Sequence, residues 1–375
     1  MRNGNNFNTP LSQPRILITP LNWGLGHATR CIPIINELIC LNCEVVIAAS
    51  GDSYFLLKKE FPALVILRIP GYKVKYSQNK KWLPLKMVLQ SPKLFFSIFK
   101  EFLWLKKIIV SHKIDSVISD NRFGMFAKNI PCIYITHQLL IKTGNTFSEK
   151  FLQKIHYSFI KRFNRCWVPD YAKNGIAGEL SHQANMPWNV LYAGPLSRFE
   201  ILKNIPMTYD VIISISGPEP QRSIFENLIL SQIKFTEKKI LVARGLPGVN
   251  EELEHGNTFV KIVNHLSSYD LNRAFQQSEI IISRSGYTTI MDLMKLGKKA
   301  VLVPTPGQTE QEYLADYLMR NKFFYSVTQN KFLFDSAIDM ALTFPFINFS
   351  RPMNAYKKII NEFVLSVKSG SFPTQ

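Results

Sequence analysis

No uninterrupted apolar run in the 375-residue sequence approaches the ~18–20 residues that a membrane-spanning helix needs. The first residues, Met1 to Pro14, are polar and lack the apolar stretch of a secretory signal. Acidic side chains are scarce, 27 against 45 basic ones, for a formal net charge of +18. Charged residues make up only 19% and hydrophobic residues 46%, which excludes wholesale disorder. Cysteine is sparse and odd in number, five in all. Cys40 and Cys43 form a C-x-x-C where a helix is expected to end, not at the helix N-terminus that lowers a thiol pKa. No further ligand pair follows at zinc spacing. Reduced, half-buried structural thiols are the expectation, in a soluble, cytoplasmic chain. At ~100–200 residues per domain the length suggests two domains.

The charge is unevenly placed. Residues 1–200 carry 26 basic and 11 acidic side chains, whereas residues 201–375 carry 19 and 16. The stretch from Lys73 to Lys113 holds ten lysines and one acid, Glu101, interleaved with Trp82, Phe95, Phe96, Phe99, Phe102 and Trp104. Two readings stand side by side: a basic amphipathic segment lying on an anionic membrane surface, and an ordinary core helix with solvated lysines.

What is present is alternation. Short apolar runs at 15–19, 44–49, 64–69, 116–119 and 132–136 read as strands, with helical periodicity between several of them. A turn-rich stretch from Gly194 to Pro206 interrupts the pattern. It restarts with strands at 210–216, 240–243, 259–263, 280–283 and 300–304, and helices at 223–233, 269–276, 289–296 and 309–319. A last amphipathic segment spans 354–367. The expected architecture is α/β, two doubly wound domains at 1–195 and 208–350, with a further helix in 351–375 after them. A ligand cleft then falls between them, at the carboxyl ends of both parallel sheets.

The chemistry-bearing motifs sit at those carboxyl ends. Gly24-Leu25-Gly26-His27 joins the first strand to the first helix, where glycines let a ligand approach backbone N–H groups. His27 is placed to accept a proton near neutral pH. Asp120, ending the fourth strand, either orients His27 or pairs with Arg122; His137 also ends a strand. Ser283-Arg284-Ser285-Gly286-Tyr287-Thr288 follows a strand and opens a helix, an arrangement suited to a diphosphate, with Arg284 adding charge. Asp292, two turns in, can reach a diol. Glu310 and Gln311 offer an acceptor and a donor to sugar hydroxyls. The Gly217 turn is a second loop against phosphate. No Asp-x-Asp occurs, so Arg284, helix N-termini and Arg222 or Arg244 are expected to stabilise a leaving group in place of a metal. No cofactor is expected. A dinucleotide fingerprint lacks its third glycine, which Thr29 replaces.

With these residues assembled, the chain resembles the two-domain GT-B glycosyltransferases, most nearly the family 28 group typified by the bacterial MurG N-acetylglucosaminyltransferase. The resemblance rests on Gly24-x-Gly26-His27, on Arg284-Ser285-Gly286 opening a helix, and on Gln311. It implies a GT-B fold whose final helix, within 351–375, packs back on the N-terminal domain, and inverting, metal-independent transfer of a hexosyl group, N-acetylglucosamine foremost, from a UDP-sugar. The acceptor would be lipid-linked or an envelope glycan, at the inner face of the plasma membrane. It also implies that Val263 holds uracil through its backbone, that Ser285, Gly286 and Thr288 face the diphosphate, and that Asp292 meets the ribose. Glu310 and Gln311 would take the donor sugar, and His27 would be the base. The shortened glycine loop and the altered Ser216-Gly217-Pro218 turn point away from the peptidoglycan enzyme itself. A UDP-sugar hydrolase of the same fold is the nearest alternative; an NAD-type oxidoreductase and a non-catalytic binding protein are more distant. Nucleic acid is not an expected partner.

Overall fold

The structure, a computed structural model, describes residues 13–70, 83–142, 146–251 and 253–372; for 83–92, 94, 146 and 147 it describes the backbone alone. The first half contributes strands β1 (Arg15–Pro20), β2 (Glu44–Ala49), β3 (Val65–Arg68), β4 (Ser116–Asp120), β5 (Cys132–Ile135), β6 (Arg165–Val168) and β7 (Val190–Tyr192). They form one parallel sheet in the order β3-β2-β1-β4-β5-β6-β7. The second half contributes β8 (Tyr209–Ser214), β9 (Ile240–Ala243), β10 (Val260–Val263), β11 (Ser278–Ser283), β12 (Lys299–Leu302) and β13 (Tyr325–Ser326), parallel in the order β10-β9-β8-β11-β12-β13. The central strands are buried along nearly their whole length because helices cover both faces of each sheet.

The helices are α1 (Gly26–Cys40), α2 (Gly51–Glu60), α3 (Leu83–Ser111), α4 (Thr146–Ile160), α5 (Gln221–Gln232), α6 (Ser268–Gln276), α7 (Tyr287–Leu296), α8 (Thr309–Arg320), α9 (Phe334–Thr343) and α10 (Ala355–Ser369). Strand order reverses beside β1 and beside β8, so the crevice outside their carboxyl ends is where such folds bind ligands. Pairing of Pro20 with Asp120 sets the β1 and β4 ends side by side, and Ser214 pairs with Ser283 likewise.

Helix α10 returns to the first half. Tyr356, Ile360, Phe363 and Val364, spaced along one face, are buried, each contributing on the order of 1.5–3 kcal/mol by leaving water. Phe363 meets Trp167 edge-on at 5.4 Å, and Lys368 Nζ donates to the Leu41 carbonyl. Five elements were not foreseen: β6, β7, β13, α4 and α9. The three strands have only four, three and two residues, too short to show a period. The five cysteines are free; Cys31, Cys132 and Cys166 are buried, Cys43 is half-buried and Cys40 exposed.

Candidate active site

The cleft, about 420 Å³, opens between the carboxyl ends of both sheets and is lined from both halves. Gly24 adopts φ 69°, a left-handed conformation that turns the chain from β1 into α1 with little strain only for glycine. Gly26 approaches α7 so closely that a Cβ there would lie 3.4 Å from Thr288 Oγ1. Helices α1, α7 and α8 begin at the cleft, and none of the three N-termini is capped by its own N-cap side chain. Their first N–H groups have no intrahelical partner and carry the positive end of the helix dipole. Three such ends facing one cavity make it suited to an anion.

On the first-half wall, His27 Nδ1 lies 2.7 Å from Asp120 Oδ1 and 2.9 Å from an Arg30 terminal nitrogen. The nearer, negatively charged acceptor sets the tautomer: Nδ1 carries the proton and donates to Asp120 Oδ1, and the Arg30 nitrogen beside it donates to that same oxygen rather than to Nδ1. Nε2 therefore presents its lone pair, and no described group bonds it. Asp120 is fully buried and also receives both arms of the Arg30 fork, Nε at 2.5 Å. Burial alone would raise the Asp120 carboxyl, but Arg30 and His27 hold it down at about 2. His27 is pushed below the ordinary imidazole value, first by burial and further by Arg30, against the opposing pull of Asp120. Of the two roles open for Asp120, orienting His27 is the one the structure has; Arg122 pairs with buried Glu101 at 2.7 Å.

The walls meet across the cleft. Thr288 Oγ1 donates to the Gly26 carbonyl at 3.0 Å, and Thr309 Oγ1 to that of Lys142 at 2.8 Å. His137 Nε2 bonds Glu310 Oε1 at 2.6 Å, Gln138 donates to the other oxygen, and the His137 ring stacks on Tyr287 with centroids 4.2 Å apart. Burial would raise the Glu310 carboxyl, but His137, His27 and Arg30 bring it below its usual value. Gln311 Oε1 accepts from the Thr305 N–H, and Gln311 lines the cleft.

The profile of the family described as Glycosyl transferase family 1 matches residues 15–339. This chain belongs to that family. It is 24% identical over 332 residues to an uncharacterized glycosyltransferase of Methanosarcina mazei, covering 80% of this chain and 81% of that one. It is 22% identical over 311 residues to the UDP-N-acetylglucosamine--N-acetylmuramyl-(pentapeptide) pyrophosphoryl-undecaprenol N-acetylglucosamine transferase of Glaesserella parasuis, covering 78% and 79%. Among solved structures, spinosyn rhamnosyltransferase SpnG superposes with a TM-score of 0.60 at 14% identity, covering 96% of this chain and 97% of that one. The two parallel-sheet domains are the GT-B fold, and the protein is a glycosyltransferase.

Of the residues expected to serve this glycosyltransferase, His27, Gly24, Gly26, Gly217, Gly286, Thr288, Asp292, Glu310 and Gln311 line the cleft, as does His137. Others do not. Arg284 is buried behind the turn that opens α7: its guanidinium donates to the carbonyls of Val303, Pro304 and Gln221 and to Gln329, and lies 4.0 Å over the Phe225 ring. Burial lowers it to about 10, still a cation at neutral pH, and it pins together the segments that follow β8, β11 and β12. Arg222 pairs with Glu219 and Glu226, and Arg244 with Glu226 and Asn264, so neither turns its charge to the cleft. The Ser285 hydroxyl donates to the Gln311 carbonyl, tying α7 to α8. The Val263 carbonyl is taken by the Arg244 N–H, and His265 and Leu266 line the cleft instead. Asp292 accepts from Ser197 at 2.7 Å and from Arg198 at 3.4 Å; burial raises its carboxyl against both.

Sequence reading passed over Arg30, Arg198 and His265. Arg30 lies three residues after His27 on a helix, a spacing that puts both on one face. Arg198 sits in the irregular segment between β7 and β8, where no period exists to reveal it.

Proposed function

We propose that this glycosyltransferase moves a hexosyl group, foremost N-acetylglucosamine, from a UDP-sugar to an acceptor hydroxyl with inversion at the anomeric carbon and without a metal. The observation that carries this reading is the placement of the uncapped α7 N-terminus and the unpartnered His27 Nε2 on facing walls of one cleft. The diphosphate would sit on the N–H groups from Gly286 to Thr288. Uracil would lie toward His265 and Leu266, and Asp292 with Ser197 would be the polar edge nearest the ribose. Glu310 would accept from sugar hydroxyls and Gln311 donate to them. His27 Nε2 takes the acceptor's proton, the acceptor oxygen bonds the anomeric carbon as its bond to the diphosphate breaks, and UDP departs. The imidazolium formed is stabilised by Asp120. Helix N-termini, rather than arginines, oppose the charge developing on UDP.

The acceptor we infer is presented at an anionic membrane surface. On α3, Phe95, Phe96, Phe99 and Leu103 share one face and are exposed, with Lys100 and Lys106 beside them. The opposite face, with Ile98, Glu101 and Leu105, is buried. Both readings of the Lys73–Lys113 stretch thus have support on α3, from opposite faces; residues 71–82 lie outside the described residues. No described helix is long and apolar enough to cross a membrane.

Turnover of UDP-N-acetylglucosamine with a lipid extract as acceptor source tests the reading. Release of UDP with labelled sugar in lipid, unaffected by chelator, is expected. Free sugar released at an equal rate without acceptor would instead favour the hydrolase.

A further inference from the structure

Arg30 and His137 remain without an assigned task, yet both are buried at the cleft. Arg30 sends Nε and one terminal nitrogen to Asp120, while its other terminal nitrogen lies 3.0 Å from His137 Nδ1. Arginine has donors only, so His137 Nδ1 must accept there. At 2.6 Å from a carboxylate oxygen, His137 Nε2 must donate. One tautomer satisfies both contacts: proton on Nε2, lone pair on Nδ1. Stacking on Tyr287, whose hydroxyl donates to the Pro169 carbonyl at 2.7 Å, fixes the plane of the ring. A continuous hydrogen-bonded chain therefore runs Asp120–Arg30–His137–Glu310, from the carboxylate behind the base to a carboxylate on the opposite wall, over 190 sequence positions.

We propose that Arg30 and His137 are positioning residues for the transfer: Arg30 fixes the tautomer of His137, and His137 fixes Glu310 to meet the hydroxyls of the donor sugar. The inference rests on the functional reading above. It differs from a purely structural role in where the effect falls. Glu310 meets the sugar and not the nucleotide, so loss of His137 weakens UDP-sugar and leaves UDP alone. Glu310 held by two N–H donors keeps free lone pairs for hydroxyls, while without His137 only Gln138 holds it and the carboxylate can rotate about that single bond.

The test uses the full chain and calorimetric titration with UDP and with UDP-N-acetylglucosamine. His137→Phe keeps the stack on Tyr287 and removes both hydrogen bonds; His137→Gln restores a donor near the Nε2 position. Expected is a roughly tenfold or greater loss of UDP-N-acetylglucosamine affinity in His137→Phe, with UDP affinity changed less than about twofold. His137→Gln should recover to within about threefold of wild type. Arg30→Lys, which keeps the charge but not the fork, should lower kcat about tenfold at unchanged UDP affinity. Equal weakening of both ligands in His137→Phe, no weakening of either, or absence of recovery in His137→Gln overturns the proposal. Wild-type protein that binds neither ligand defeats the functional reading itself, a result distinct from all three.

Discussion

Thr288 Oγ1 donates to the Gly26 carbonyl oxygen at 3.0 Å, joining the first turns of α7 and α1 across the cleft. A Cβ at position 26 would stand in contact with that hydroxyl, at 3.4 Å, so the two γ-methyls of a valine would have to fit against Thr288 or displace it. Gly26→Val should force the two helix ends apart. Displacing one wall of the cleft should weaken donor binding, and donor KM should rise about tenfold for a loss of about 1.4 kcal/mol, read by initial rates against donor concentration.

His27 supplies the pH dependence. Its folded value is lowered from 6.5, chiefly by burial, so the base form persists to lower pH than for a free imidazole. The acid limb of kcat/KM should therefore fall below 6.5. Asp120 raises His27, so Asp120→Asn should move that limb further down while lowering kcat. His27→Ala should lower kcat by about 10²–10⁴ with donor affinity near wild type.

Glu101 and Arg122 form a buried pair near the carboxyl ends of β1 and β4, and Arg122 also donates to the carbonyls of Pro20 and Pro70. Removing one partner takes its opposite charge away from a buried ion. Glu101→Gln should cost about 3–5 kcal/mol of stability in urea unfolding, without a shift in the pH profile of the remaining folded enzyme.

The α3 face makes a salt-dependent claim. Vesicles with anionic lipid should retain the protein at low salt, and Phe96→Ser with Phe99→Ser should release it. Equal retention by neutral vesicles would contradict the electrostatic part of the reading.

Much of this was legible beforehand, and the limits have physical causes. β1, β2, β8 and β11 hold apolar runs bounded by turn residues, and they carry the parallel architecture. The glycine turn at 24–26 and the helix opening at 286 were visible as local patterns. Arg284 was misread because a Ser-Arg-Ser-Gly string does not reveal that its guanidinium turns back beneath the turn to meet carbonyls. The Arg222 and Arg244 ion pairs converge on Glu226, and the His137 bond to Glu310 spans 173 positions. No local spacing encodes such meetings; they follow from strand order and the closure of two halves. Arg30 was within reach, one helical turn from His27.

A crystal structure with UDP tests the central claim most directly. The account predicts diphosphate oxygens at about 2.7–3.2 Å from the N–H groups at the start of α7, with the uracil toward Leu266. UDP seated elsewhere, or a cleft left empty at saturating nucleotide, would contradict it.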